Sequence, residues 1–390
     1  MSENDSPLDA TALRERTRAI CARFPDEYWT RLDEERTYPA AFVDALTADG
    51  LLAALIPAEY GGLGLGVREA SVIMEEINRS GGHSAACHAQ LYIMGALVRH
   101  GSETQKRRYL PEIAAGRLRL QSLSLTEAAA GSDTTRIETV AERDGDEWVV
   151  TGEKSWTSRM AETDLAIVVA RTSPRGEART RGLSLFLVDL REVRERQPDA
   201  IVVTPVRTMF NYATYSVRYR GLRLPADAVV GTVGEGFRHL VDGWNAERIL
   251  LAAEAIGDGY WFIERAVEYA RSTERFGRPI GANQGVQFPL AEAWMRIRAA
   301  DLVRYSAADR FDRDDAGVGV EANTALYLAS EASWAAANAA LDTHGGFGFV
   351  DRYSIERKFR ETRLYQVAPV STNLIRAHIA QHELGLPRSY

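Results

Sequence analysis

The sequence predicts an α+β chain of three successive domains. These are an N-terminal α-helical domain over residues 1–118, a middle β domain of barrel or sandwich type over 119–230, and a C-terminal helical bundle over 231–390. Three observations carry this. Apolar residues recur at helical spacing in the first and last thirds. The middle changes to short apolar or alternating runs separated by turn residues. No β-α-β alternation appears, which argues against a dinucleotide-binding sheet of Rossmann type.

Taken in order, Arg68–Ile77 mixes apolar and charged residues at helical spacing, while Ala85–Val98 is more uniformly apolar, as a buried helix is. Between the earlier helices lies Tyr60-Gly-Gly-Leu-Gly-Leu-Gly66. No strand precedes it and its spacing is not G-x-G-x-x-G, so it reads as a tight connection rather than a phosphate cradle. In the middle, Asp144-Gly145 is a hairpin-type turn signal leading into Glu147–Thr151. Leu165–Ala170, Leu183–Val188, Ile201–Thr204 and the alternating Tyr215–Arg220 are further strands. From Gly234 onward, Ile249–Arg271, Gly285–Phe311 and Glu321–Thr343 are each long enough for a helix bundle, and the Ala-rich 335–340 permits close packing.

The 390 residues are 45% hydrophobic and 26% charged, which suits a packed chain of two or three domains. A formal net charge of -7 gives no electrostatic case for nucleic acid as a partner. Cys21 and Cys87 make neither a disulfide framework nor a metal motif, which fits a reducing, cytoplasmic location. The polar, acidic Met1–Ser6 does not read as a signal peptide, and no apolar run is long enough to span a membrane.

The stretch that joins the first helical part to the strands is Leu123-Ser-Leu-Thr-Glu-Ala-Ala-Ala-Gly-Ser-Asp133. Its small residues Gly131, Ser132 and Asp133 suit a loop with exposed backbone N–H groups, open to a flat ring or an anionic ligand. About 22 residues on comes Gly152-Glu-Lys-Ser-Trp-Thr-Ser158. Together the two segments resemble the flavin-cradling signature of the acyl-CoA dehydrogenase family, T-E-P-x-A-G-S-D followed by G-x-K-x-W-I-T. Ala128 stands where that family has Pro, and Thr157-Ser158 where it has Ile-Thr; Ser158 keeps a hydroxyl. The resemblance covers nearly the whole chain. It implies the acyl-CoA dehydrogenase fold, with a four-helix bundle at the C-terminus.

The resemblance also implies the chemistry. FAD accepts hydride from the β-carbon of an acyl-CoA while a protein base takes the α-proton; a buried carboxylate suits that base. The family has two positions for it. At the first, a Glu in a Y-E-G-T segment, this chain reads Tyr365-Gln-Val-Ala-Pro-Val-Ser-Thr-Asn373, which puts Pro369 at the acid position. At the second, used by isovaleryl- and long-chain-type members, Asn245-Ala-Glu-Arg-Ile-Leu-Leu251 puts Glu247 at the base position and Arg248 after it. The resemblance therefore assigns Glu247 as the base and Arg248 to positioning the substrate or the acid. Taken without it, Asn245 reads as a helix cap and Glu247 as an acid favoured near the helix N-terminus.

For the cofactor, the resemblance places Leu123, Leu125, Thr126, Gly131, Ser132, Trp156 and Ser158 along the flavin ring, with Ser132 also facing the pantetheine of the substrate. Trp156 has an alternative reading as a core aromatic. A second subunit contributes R-x-x-F-G-x-P-I and a later Gln in the family; here Thr273-Glu-Arg-Phe-Gly-Arg-Pro-Ile280 and Gln284 match at Phe276, Gly277 and Gln284. Thr273 replaces the arginine that meets the FAD pyrophosphate, losing a charge-assisted contact. Arg271 and Arg275 lie near, but residues two apart do not share a helix face. Asp342-Thr-His-Gly345-Gly346 resembles the partner loop Q-x-x-G-G, with an acid in place of Gln. Ser371 and Asn373 correspond to contacts on the adenine half.

The resemblance further implies an electron-transfer flavoprotein as acceptor and a homo-oligomer, commonly a dimer of dimers. Tyr92, Phe210, Tyr212 and Trp244 either shape an acyl pocket or fill the core. His378 and His382 have a spacing open to metal, but with no further ligands they read as a solvated or packed pair. The charged run Arg352–Arg363 reads as a solvated helix face. Two rival readings keep the fold: a flavin oxidase or oxygenase, and a flavin-free partner subunit of a mixed oligomer.

Overall fold

A computed structural model describes residues 10–388. Six helices come first: α1 (Ala10–Cys21), α2 (Asp26–Glu35), α3 (Ala40–Ala48), α4 (Val67–Arg79), α5 (Ala89–His100) and α6 (Glu103–Ala114). Then follow β1 (Leu120–Ser124), β2 (Val140–Asp144), β3 (Glu147–Ser158), β4 (Leu165–Arg171), β5 (Leu183–Asp189), α7 (Leu190–Arg196), β6 (Ile201–Pro205), β7 (Thr214–Pro225) and β8 (Val229–Val230). The rest holds α8 (Gly236–Ser272), β9 (Glu274–Arg275), β10 (Arg278–Pro279), α9 (Gln284–Asp312), α10 (Val318–His344), α11 (Ile355–Thr362) and α12 (Thr372–His382). The polar Met1–Ser6 lies outside the described residues. No described helix is long and apolar enough to cross a membrane.

The fold groups into two compact units. Among the described residues, one comprises residues 10–36, Leu65–Ser84 and residues 245–388; the other comprises Thr37–Gly64 and Ala85–Trp244.

The second unit is built on one sheet in the order β6-β7-β3-β2-β4-β5-β8, with β1 added parallel to β4. Strands β4 and β5 are buried along nearly their whole length, which explains their continuous apolar sequence. Successive residues go to opposite faces. Leu165, Ile167 and Val169 join the core that includes Leu97 and Leu110 of α5 and α6. Ala166, Val168 and Ala170 join the core on the other face, with Trp148, Phe186 and Tyr219. β1 is a strand that the sequence did not announce, while β2 is the strand that the Asp144-Gly145 hairpin signal requires before it. In the 60–66 connection Gly61 and Gly64 take positive φ (84° and 62°), and a Cβ on Gly62 would sit 2.1 Å from the Ile56 carbonyl oxygen, so these glycines serve a tight turn.

The first unit is a helix assembly around α8, α9 and α10. A Cβ at Gly259 would come 2.8 Å from Ile297 Cδ1, and one at Gly257 would come 2.3 Å from the Glu75 carbonyl oxygen. These two glycines let α8 approach α9 and α4 closely. Buried Arg304 of α9 ties the layers together, donating to Glu75 (2.7 Å), Asp301 (2.5 Å) and Ser71 (2.6 Å). Arg14 of α1 reaches the same Glu75 at 2.8 Å. Asp312, at the end of α9, accepts the backbone N–H groups of Val67 (2.7 Å) and Arg68 (2.9 Å) and so caps α4 from a distance.

Two sequence expectations are corrected here. The charged run Arg352–Arg363 is not a solvated face: within it Arg357, Lys358, Glu361 and Thr362 are buried. Arg357 meets Glu361 at 2.9 Å and Lys358 donates to the Gly82 carbonyl at 2.9 Å, so the charges are paired inside rather than hydrated. Asn245 is not a helix cap, because α8 begins at Gly236 and Glu247 lies in its interior, well beyond the first turn.

Candidate active site

Within the sheet-containing unit, the two signature segments are fastened together by a pair of buried charges. Lys154 Nζ, fully buried, donates to Glu127 Oε1 and to the Leu125 carbonyl, each at 2.9 Å. Glu127 also accepts the backbone N–H groups of Glu138 (2.7 Å) and Thr139 (2.9 Å). Ser155 N donates to the Thr126 carbonyl at 2.8 Å. Burial pushes the Lys154 ammonium down to about 8, while the Glu127 charge works against that drop. Glu127 moves below the ordinary carboxylate value; burial would raise it, but the Lys154 charge and the donated hydrogen bonds outweigh burial. Reading the signature did not assign these two residues a role. The signal was present in the Glu and Lys of the motif, 27 positions apart, but their pairing is a tertiary fact.

This clamp shapes β3 beyond it. The register of β3 against β7 breaks between Lys154 and Thr157, and the bulge leaves Trp156 at φ 58°. Trp156 is 59% exposed, so the core-aromatic alternative fails and its indole is available to a ligand. Thr157 turns inward, its hydroxyl 3.3 Å from that of Ser124, which accepts from Tyr219 OH at 2.8 Å. Ser158 is half-buried and donates to Tyr212 OH at 3.1 Å. Arg159 is a second non-glycine residue at positive φ (57°), and two such residues flanking Thr157-Ser158 mark a backbone held in a costly conformation. Its buried guanidinium donates to the Gln121 carbonyl at 3.1 Å and lies 5.7 Å from the Tyr212 ring centroid. The sequence reading did not single out Arg159.

Leu123 and Leu125 are partly buried and pack against the core below. Thr126 is half-buried, and Gly131 and Ser132 are exposed. A Cβ on Gly131 would meet no atom within 4 Å. The structure therefore brings Leu123, Leu125, Thr126, Gly131, Ser132, Trp156 and Ser158 onto β1, the loop after it and β3. Open space at Gly131 and an outward indole, both on a rigidly pinned base, fit the edge of a flat aromatic cofactor such as flavin. Of the aromatics left open by the sequence, Phe210 is core, with its ring centroid 5.4 Å from that of Tyr212; Tyr92, Tyr212 and Trp244 are half-buried.

The helical unit carries the candidate acid. Glu247 is 9% exposed, and Arg248 beside it donates to Asn245 Oδ1 at 3.2 Å. Burial moves the Arg248 guanidinium below its ordinary value, against the attraction of Glu247. Pro369 lies exposed shortly before α12, where it offers no acid. Asn78 donates to Tyr365 OH (2.8 Å) and to Asp258 Oδ1 (3.0 Å), and Tyr365 donates to Glu254 (3.2 Å), a buried polar chain adjoining the α11 charges.

The residues expected to meet FAD from a second subunit lie on the surface of this unit. Phe276 is fully exposed at the tip of the β9–β10 hairpin, at φ 54°, with Gly277 at φ 77°. Because α8 ends at Ser272, Arg275 lies on that hairpin, and the helix-face argument made for it does not apply. Gln284 opens α9 and is exposed, as is Asp342 near the end of α10. Added Cβ atoms on Gly345 and Gly346 would meet nothing within 4 Å. The Ser371 hydroxyl caps α12 by accepting the Leu374 N–H at 3.4 Å; Asn373 is exposed in the first turn. On this half the fit to FAD is mixed, since the Asp342 carboxylate would repel a pyrophosphate. The His378 and His382 rings are 4.5 Å apart, and no group of three metal-ligating side chains occurs among the described residues.

Comparison with known proteins matches three family descriptions in succession: acyl-CoA dehydrogenase N-terminal domain at residues 8–117, middle domain at 122–215 and C-terminal domain at 234–384. The chain is similar to acyl-CoA dehydrogenase FadE12 of Mycobacterium tuberculosis (strain ATCC 25618 / H37Rv), with 35% identity over 389 residues and 97% of each chain covered. It is 28% identical over 388 residues to cyclohex-1-ene-1-carbonyl-CoA dehydrogenase of Syntrophus aciditrophicus (strain SB), covering 98% of this chain and 92% of that protein. Among solved structures, the glutaryl-coenzyme A dehydrogenase complex with glutaryl-CoA superposes with a TM-score of 0.90 at 27% identity, covering 100% of this chain and 98% of that one.

Proposed function

This chain belongs to the acyl-CoA dehydrogenase family, and from that premise we propose that it oxidises an acyl-CoA to the trans-2-enoyl-CoA, with Glu247 as the base and an electron-transfer flavoprotein as acceptor. The observation that carries the assignment is the placement of Glu247: a buried carboxylate in the interior of a long helix, next to Arg248, in a chain whose other acid position is Pro369.

FAD, when bound, supplies the hydride acceptor. The protein's residues do the rest. The Glu247 carboxylate takes the α-proton, and its burial keeps water from competing for it. Arg248 holds the acid or the thioester in place. The Glu127–Lys154 clamp and the β3 bulge present the Leu125 and Thr126 backbone, Trp156 and Ser158 to the ring, and Ser132 faces the pantetheine arm. Phe276, Gln284, Asp342, Gly345, Gly346, Ser371 and Asn373 contribute to a cofactor site completed by a second copy of the chain.

A homo-oligomer is supported by the fully exposed Phe276 and by Phe288, Met295 and Leu302, exposed at seven-residue spacing along α9. The proposal includes the three-domain division at 118/119 and 230/231 and a cytoplasmic location.

The test is anaerobic titration of the purified, FAD-loaded protein with a panel of acyl-CoA thioesters, followed by flavin absorbance. Glu247→Gln is expected to keep FAD bound and to lose substrate bleaching. Undiminished reduction in that variant removes Glu247 from the base role. Substrate-dependent hydrogen peroxide in air would redirect the reading to an oxidase, and a protein that purifies colourless and cannot be loaded with FAD would redirect it to a partner subunit.

A further inference from the structure

Five lysines and arginines are buried among the described residues, and four of them meet a carboxylate. Lys154 meets Glu127, Arg304 meets Glu75 and Asp301, Arg357 meets Glu361, and Lys358 meets Asp258. Arg159, 3% exposed, is the exception. Its guanidinium donates to the backbone carbonyls of Gln121 (3.1 Å) and Ala85. Its other neighbours are the phenols of Tyr212, Tyr92 and Tyr38. The nearby Glu162 accepts from Tyr215 OH instead. A buried charge with hydrogen bonds but no counter-ion is costly. The backbone that puts it there, at φ 57°, adds to the cost.

That backbone conformation brings Arg159 to the same tyrosine as its neighbour in the chain. The Arg159 N–H donates to the Ala213 carbonyl at 2.7 Å, and the guanidinium carbon lies 5.7 Å from the Tyr212 ring centroid. Ser158 meets the Tyr212 hydroxyl at 3.1 Å. Both hydroxyls rotate, so Tyr212 can equally donate to Ser158 and leave the serine proton for a ligand. Ordered that way, the two hydroxyls point their donor ends away from a fixed positive charge and towards the outer side of β3, each polarising the next.

We propose that Arg159 is a positioning residue for the redox step: its charge, cancelled by no acid of the protein and passed on through Tyr212 and Ser158, makes the bound flavin easier to reduce. The inference rests on the acyl-CoA reading above, in which Ser158 is presented to the ring. In that reaction the β-hydrogen leaves for the ring with both electrons of its bond. The α-proton goes to Glu247, and the electrons of the α C–H bond become the new carbon–carbon double bond. The ring thereby gains one negative charge. A cation held in a water-poor interior attracts that charge more strongly than one in solvent. An acid paired with Arg159 would cancel the attraction, so the missing counter-ion is what this role requires.

The test is the two-electron midpoint potential of the full-length, FAD-loaded protein, measured against reference dyes during chemical reduction with no thioester present. R159Q is expected to lower the equilibrium constant for reduction at least tenfold, about 30 mV for a two-electron couple. R159K loses the forked contacts to the two carbonyls but keeps the charge. Measured at about pH 6, where a lysine holds its proton, it is expected to stay within about twofold of wild type. Y212F keeps the ring and its packing and is expected to lower the constant about threefold. R159Q/Y212F should fall short of the two single effects combined, because both act on one chain of contacts. A wild-type potential in R159Q overturns the proposal. So does a shift in R159K as large as that in R159Q, which would make Arg159 a pin for the two carbonyls and nothing more. If R159Q does not fold, an unchanged potential in Y212F overturns it. If no acyl-CoA bleaches the wild-type flavin, the dehydrogenase reading fails, and the potentials still decide the role of Arg159. A chain that takes up no FAD ends both.

Discussion

Replacing Lys154 by Met should be among the most damaging single changes in the sheet-containing unit. The ammonium is fully buried and makes two 2.9 Å hydrogen bonds, one to the Glu127 carboxylate and one to the Leu125 carbonyl. Methionine fills much of the same volume without the charge. It leaves the Glu127 carboxylate with its backbone donors but no counter-ion, a loss of roughly 3–5 kcal/mol by the precedent of broken buried pairs. The reverse change, Glu127→Gln, should cost less. Lys154 is pushed down to about 8 by burial even with the Glu127 charge holding it up, so without that charge it can shed its proton near pH 7 at little cost. With both charges gone, E127Q/K154M should be milder than the sum of the single changes by roughly 2 kcal/mol or more.

The pH dependence has a definite sign. Lys154 loses its proton near 8 in the folded protein and near 10.5 when unfolded, so between those values the unfolded chain holds more protons. Its contribution to stability therefore rises with pH across that window, by up to roughly 3 kcal/mol, and K154M lacks this rise. The assay is urea unfolding at fixed protein concentration from pH 7 to 10, with and without FAD, read by circular dichroism and retained flavin absorbance. A K154M protein within about 1 kcal/mol of wild type, or a double variant as unstable as the summed singles, would refute the clamp.

Two further outcomes follow from the same geometry. Trp156→Ala should change stability by no more than about 0.5 kcal/mol because the indole is exposed, yet weaken FAD binding severalfold, measured by flavin release on dilution. Asp258→Asn should steepen the acid limb of stability: burial raises the carboxyl to about 6 from an ordinary 3.8, so its contribution is complete below 3.8 and is lost as pH rises through 6, and the variant lacks this gain on acidification. Thermal unfolding of both proteins between pH 4 and 7 checks this, and parallel curves would show that Asp258 does not titrate there.

The sequence by itself determined the kinds of element and the family to which the chain belongs. Helical periodicity located the long α8, α9 and α10; apolar runs located β4 and β5; and the segments 123–133 and 152–158 carried the flavin-cradle resemblance. These features are local, because backbone preference and side-chain periodicity are fixed by neighbours along the chain. Only the tertiary structure decided which charges are solvated and which are paired. The run 352–363 looks like a wet helix face until folding buries Arg357 and Lys358 against the Gly81 and Gly82 carbonyls and Asp258, with Glu361 buried between them. Lys154 and Glu127 read as motif letters until folding places them in contact, and the same folding carries Trp156 outward and Arg159 inward on one strand. Even the start of α8 escaped local reading, since Gly243 and the polar residues around it weaken the helical pattern that the folded protein sustains from Gly236. Burial and electrostatic partnership depend on residues distant in sequence, and local periodicity holds no record of them.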